Sequence, residues 1–153
     1  MFKKVKETLK FDKITDLLLY LAARSENIRQ LRKFHKKKII LIDRFLDSTI
    51  AYQHYGFGID IRLINLLNKI ILKEFKVDFT FLNIVNKKNM IQRLKERKSQ
   101  NRYDNFNVNF YQKVQRGFMK LVKKNKKKYK IINSNLLKKH NQNEIIQSIE
   151  KLL

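Results

Sequence analysis

The chain has 153 residues, 43% of them apolar, which suits one domain with a real core and no separate linker or repeat. It has no Cys and three scattered His, which excludes a disulfide framework and a thiolate metal site and argues against a His-based one. It carries 36 basic against 13 acidic residues, a formal charge of +23. That charge has two readings: a partner rich in phosphate, or compositional drift in a chain heavy in Lys, Ile, Asn and Phe and free of Pro.

Residues 12–34 read as a helix, with Ile14, Leu17, Leu18, Leu21 and Ile28 at helical spacing and Asp12 or Thr15 as its cap. KIILI, 38–42, is a short β-branched run and predicts a buried strand. Residues 59–74 are helical again, through Ile61, Ile64, Leu67, Ile71 and Leu72. DFTFLNIV, 78–85, predicts a second strand, and Asn86 to Lys98 a basic helix with an Asn cap. Phe110, Val114, Phe118 and Leu121 make the apolar stripe of a helix over 106–124. The tract KKNKKK, 123–128, places cations at the negative end of that helix. YKIIN, 129–133, predicts a third strand, and a last helix runs from about Gln142 to Leu153. Alternating strands and helices indicate an α/β fold with a parallel sheet covered on both faces. Ligands in such sheets bind beyond the carboxyl ends of the strands. No apolar run approaches the length of a membrane span and no stretch resembles a signal peptide, so the expected compartment is the cytoplasm.

The polar segment DRFLDSTIAYQHYGFG, Asp43 to Gly58, directly follows the first predicted strand. Arg44 suits a phosphate, held by two parallel hydrogen bonds, or else ends the strand in an ion pair with Asp43. Asp43 suits Mg²⁺, directly or through water. If the segment is helical, Ser48, Thr49, Tyr52 and Gln53 share a face suited to a small polar ligand, or they form a solvated helix start. Upstream, Tyr20 and Arg24 are neighbours at i and i+4, able to stack on a flat heterocycle and hydrogen-bond its carbonyl. Downstream, Arg93 and Arg97 are again at i and i+4, with Arg102 in a polar loop. They read as a lid over about 93–105 or as a solvated basic helix.

Taken in order, LLLYLAARSENI, KIILIDRFLDSTIAYQHYGFGID, DFTFLNIV, RLKERKSQNRYD and FYQKVQRGFMKL resemble thymidylate kinase, from about Thr15 to the C-terminus. The DR(F/Y/H)-x-x-S-x-x-A-Y-Q segment carries most of the specificity. The resemblance implies a P-loop nucleoside monophosphate kinase fold, three layers α/β/α, and transfer of a phosphoryl group from ATP to dTMP. It implies that Tyr20 stacks on thymine, Arg24 reaches its carbonyl, and Arg44 holds the dTMP phosphate. Ser48, Thr49 and Gln53 line the pocket. Tyr52 faces the deoxyribose, and Phe118 closes the far side. Asp43 sits near Mg²⁺, while Arg93, Arg97 and Arg102 cover the ATP phosphates. It also implies a homodimer through packed helices.

The departures are equally specific. The glycines are Gly56, Gly58 and Gly117, so no G-x-x-x-x-G-K-[ST] loop exists in these residues. HYGFG replaces the usual Gly-rich stretch after Gln53, Asn101-Arg102 the usual Asp-Arg, and Asn133 the usual strand-end Asp. The expectation is a member lacking its N-terminal strand, phosphate loop, helix and second strand. Such a chain is expected to be inactive by itself for want of the phosphate loop, and poorly soluble because strands 38–42 and 78–85 lose their shared neighbour. The rival readings are a non-catalytic nucleotide-binding remnant and a basic nucleic-acid-binding protein.

Overall fold

A computed structural model describes residues 11–34, 38–96 and 107–153. Helix α1 (Lys13–Leu31) starts at Asp12, whose carboxylate accepts from the Ile14 N–H at 2.8 Å. Its inward face is Leu17, Leu21 and Ile28, with Asp16 buried among them. Ile14 and Leu18 belong to the same apolar periodicity but remain exposed.

A short helix α2 (Leu46–Thr49) runs on into a π-helix, Ile50–Gly56. Its wider turn is visible in the bond from the Phe57 N–H to the Tyr52 carbonyl, 2.9 Å. Gly56 fits at its end because a Cβ there would lie 2.8 Å from the Phe110 ring. Helix α3 (Ile61–Leu72) is capped by Asp60, which accepts from the Arg62 N–H. At its other end the Arg32 guanidinium donates to the Ile71 and Leu72 carbonyls, satisfying acceptors that a helix end leaves open. Leu17, Leu21, Ile59 and Ile64 form the core between α1 and α3, with Ile50, Leu67 and Ile71 packed against it.

Strand β1 (Thr80–Ile84) pairs in parallel with β2 (Tyr129–Asn133), Thr80 opposite Tyr129 and Ile84 opposite Asn133. Leu82 and Ile132 are its buried side chains. Between the strands lie α4 (Lys87–Lys95), capped by Asn86, and α5 (Val108–Lys124), capped by Asn107. α5 turns Phe110 and Val114 onto Ala51 of the π-helix, building a second core with Tyr52, Phe57 and Phe118 around it. Helix α6 (Lys138–Glu150) packs on β2, where Lys130 pairs with Glu144 at 3.3 Å.

Two sequence expectations are corrected. Residues 38–42 form no strand: they join no ladder among the described residues, and Ile39, Leu41 and Ile42 are exposed. β propensity alone does not make a strand, because an extended segment needs a neighbour to take its N–H and C=O groups. The last helix begins at Lys138 and ends at Glu150, shifted from the expected 142–153. Three basic or neutral residues, Lys138 to His140, are poor company for the positive end of a helix and hid the start. Asn141 anchors that first turn by donating to the Asn133 carbonyl at 3.1 Å.

Candidate functional site

The segment from Asp43 to Gln53 is held at three points. The first is Arg24 on α1. Its Nη1 donates to Thr49 Oγ1 at 2.6 Å and its Nη2 to the Phe45 carbonyl at 3.1 Å, while its guanidinium lies 5.3 Å from the Phe45 ring centre. Burial of the guanidinium draws its pKa below the ordinary value. The second point is Gln53, whose Nε2 donates to Asp16 Oδ2 at 3.4 Å, both residues being buried. The third is Asp47, which accepts from the Tyr129 hydroxyl at 2.9 Å.

Braced in this way, the chain turns at Arg44 with φ = 59°, a left-handed conformation uncommon for a residue with a side chain. Such strain persists only where the surroundings over-determine it. The Arg44 guanidinium lies 5.4 Å from the centre of the Tyr52 ring, a cation–π arrangement. Desolvation opposes its charge. Tyr52, by charge and hydrogen bond, then Asp43 and Tyr20, outweigh that and lift its pKa above the ordinary value. The Tyr52 ring in turn meets Phe110 and Phe118 edge-on, at 6.1 and 6.5 Å between centres.

Of the residues singled out from sequence, Tyr20, Arg24, Arg44, Thr49, Tyr52, Gln53 and Phe118 therefore fall into one connected group around the π-helix. Ser48 is half-buried on the α2 turn beside Thr49. Asp43 is exposed next to Arg44. Arg93 stands apart: its Nη2 donates to the Ser134 carbonyl, 2.5 Å away, just past the carboxyl end of β2. Arg97 and Arg102, and with them most of the expected lid, lie outside the described residues.

Sequence reasoning missed Asp16, Phe45, Asp47 and Phe110. Asp16 was detectable, since Asp16, Tyr20 and Arg24 recur every fourth residue on one face of α1. Phe110 was visible only as core, and it is core and site wall at once. Phe45 contributes through its backbone carbonyl and ring, which no motif signals.

The residues suit a divalent cation only in a limited way. No group of three or more His, Cys, Asp or Glu able to hold a metal exists among the described residues. Asp43 by itself fits a cation held mainly by phosphate oxygens and water, as Mg²⁺ commonly is.

A parallel strand pair interleaved with helices, with two guanidinium groups and an aromatic wall gathered around the π-helix, defines an α/β protein whose polar site suits a flat ligand that carries negative charge. Comparison with known proteins makes this specific. The family model described as thymidylate kinase matches residues 1–145. The thymidylate kinase of Wolbachia pipientis wMel is 38% identical over 146 residues, 93% of this chain and 72% of the relative. That of Trichodesmium erythraeum is 40% identical over 118 residues, 76% of this chain and 52% of the relative. The crystal structure of thymidylate kinase from Ehrlichia chaffeensis superimposes with a TM-score of 0.74 at 29% identity, covering 96% of this chain and 72% of that one. The chain belongs to the thymidylate kinase family. It spans from about half to under three quarters of the length of these relatives. No helix among the described residues is long and apolar enough to cross a membrane.

Proposed function

We propose that these residues form the phosphoryl-acceptor side of a dTMP kinase, which converts dTMP to dTDP with ATP as donor. The observation that carries this reading is Arg44, held in a left-handed turn against Tyr52 by the braces on either side of it. Residues held in sparsely populated backbone conformations cluster at functional sites.

In this reading the Arg44 guanidinium takes the dTMP phosphate as a fork. Tyr20 and Arg24 meet the thymine ring and its carbonyl. Tyr52 sits against the sugar, with Ser48, Thr49, Gln53 and Phe118 lining the pocket. Asp43 would help to hold Mg²⁺, which would neutralise phosphate charge. Arg93, with Arg97 and Arg102, would face the donor phosphates. No residue here supplies a phosphate loop, so the donor side does not fit ATP binding by this sequence alone, and the chain is inactive without that element. Pairing of two copies through helices and a cytoplasmic location accord with this role.

Thermal unfolding with added nucleotide tests the reading. Millimolar dTMP is expected to raise the midpoint, dCMP and UMP to leave it near the unliganded value, and Arg44→Ala to abolish the dTMP response. Equal responses to all three nucleotides, or an unchanged response in Arg44→Ala, would overturn the acceptor assignment. A coupled ADP-release assay with dTMP, ATP and Mg²⁺ tests the donor side: robust turnover by these residues alone would refute inactivity.

A further inference from the structure

Helix α5 has a face that the acceptor site does not use. Its inward side packs Phe110 and Val114 on the π-helix. Its outward side carries Lys113, Arg116, Lys120 and Lys123, all exposed. These positions recur at i, i+3, i+7 and i+10. At about 100° per residue they fall within an arc of roughly 80°. They span about 15 Å of helix. The Lys120 ammonium lies 5.1 Å from the centre of the Tyr55 ring, which fixes the middle of the row.

The row has no internal counter-charge. From Asn107 to Asn143 the sequence contains no Asp or Glu, while Lys and Arg recur throughout and continue into Lys126, Lys127 and Lys128. Elsewhere in the molecule Arg29 pairs with Glu26, Arg62 with Asp60, and Lys130 with Glu144. Among the described residues no carboxylate pairs with any member of the α5 row. Scattered cations on solvated helices are common. Four aligned on one rigid face, in a long stretch free of carboxylates, create a continuous positive potential along one direction. Beside the row, Tyr111, Gln112 and Gln115 border a shallow groove of about 230 Å³ and add hydrogen-bonding groups without charge.

We infer that this face of α5 binds the phosphate backbone of a nucleic acid. Fifteen ångströms of helix matches roughly four phosphates of one strand. The contacts are electrostatic and carry no sequence preference, since nothing on the row is placed to read base edges.

The test is fluorescence anisotropy of a labelled 20-nucleotide single strand and of its duplex, titrated with the full chain at several salt concentrations. The expected slope of log affinity against log salt is near about −3 for the single strand and near about −4 for the duplex. Replacing Lys113, Arg116, Lys120 and Lys123 together by Gln is expected to weaken binding at least tenfold and flatten the slope. A control with Lys13, Lys69, Lys88 and Lys151 replaced by Gln is expected to keep both. Circular dichroism and the thermal midpoint establish that each variant is folded. The inference is overturned if the control loses as much as the row variant, since only bulk charge would then be at work. It is overturned equally if millimolar dTMP displaces the oligonucleotide, or if the chain binds phosphatidylserine vesicles but neither nucleic acid. Failure here leaves the dTMP response untouched, and the two readings are therefore separable.

Discussion

The Tyr129 hydroxyl donates to Asp47 at 2.9 Å, joining the first residue of β2 to the turn that precedes Thr49 and the π-helix. Both groups are half-buried, and each alters the other. Desolvation, then the nearby carboxylate, push the phenol well above its ordinary range. Desolvation lifts the Asp47 pKa, and the phenol's hydrogen bond partly offsets that.

Tyr129→Phe is expected to cost about 1 kcal/mol at neutral pH, a modest figure because the pair is only partly desolvated. The phenol's pKa is raised on folding, so its contribution is fully present below the unfolded value near 10. It is lost progressively as the pH rises from there toward the raised folded value. Asp47 is shifted in the same sense, so its protonated form is favoured by folding and its contribution fades as pH rises past its own folded value. Urea midpoints of both proteins between pH 7 and 11.5 check this. The gap between them should close at alkaline pH, and a gap that widens there would contradict the assignment.

Thr49→Val keeps the branched shape and removes the acceptor for Arg24. Thr49 is buried, so a loss of about 1–2 kcal/mol is expected. Combined with Arg24→Met, the two losses should fall short of additive by about 1 kcal/mol. Strict additivity by urea unfolding would mean that the bond carries nothing.

Gly117→Ala in the middle of α5 is expected to destabilise. In an open helix that change gains about 1 kcal/mol. Here a Cβ would lie 2.5 Å from Tyr55 Cδ2 and 2.8 Å from its Cβ, atoms too close to the backbone to move aside easily. The cost of such overpacking is about 1–3 kcal/mol, giving a lower midpoint in thermal or urea unfolding. A raised midpoint would show that α5 and the π-helix are less tightly apposed than described.

Leu41→Lys is expected to leave stability within about 0.5 kcal/mol and to raise the monodisperse fraction on size-exclusion chromatography. Leu41 is 78% exposed, beside Ile39 at 60% and Ile42 at 39%. Aggregation unchanged by the charge would direct attention to another apolar surface.

The helices were legible because their signals are local. Asp12 and Asn107 cap in the structure the helices that the spacing of Leu17, Leu21, Phe110 and Val114 already announced, and Asn86 caps the basic helix α4. The parallel strand pair was legible from β-branched runs of the right length. Residues 38–42 carry the same signal and fail, because pairing is a property of neighbours and one segment cannot report it. The π-helix was hidden for a related reason: its widened turn answers to packing of Gly56 on Phe110, a contact between distant positions. Arg24 and Thr49 were each visible as polar groups, but that one would hold the other was not.

The β1–β2 pairing has a kinetic consequence. Thr80 finds Tyr129 only after the whole crossover through α4 and α5 has closed, and closing a long loop precedes any gain from the contacts it makes. Until then the strands Thr80–Ile84 and Tyr129–Asn133 are unpaired in a nascent chain, and the exposed run Ile39–Ile42 stays unpaired even afterwards. The long parallel crossover is therefore expected to set a slow step in folding. Its yield will depend on how long those segments wait, and so on temperature and chain concentration.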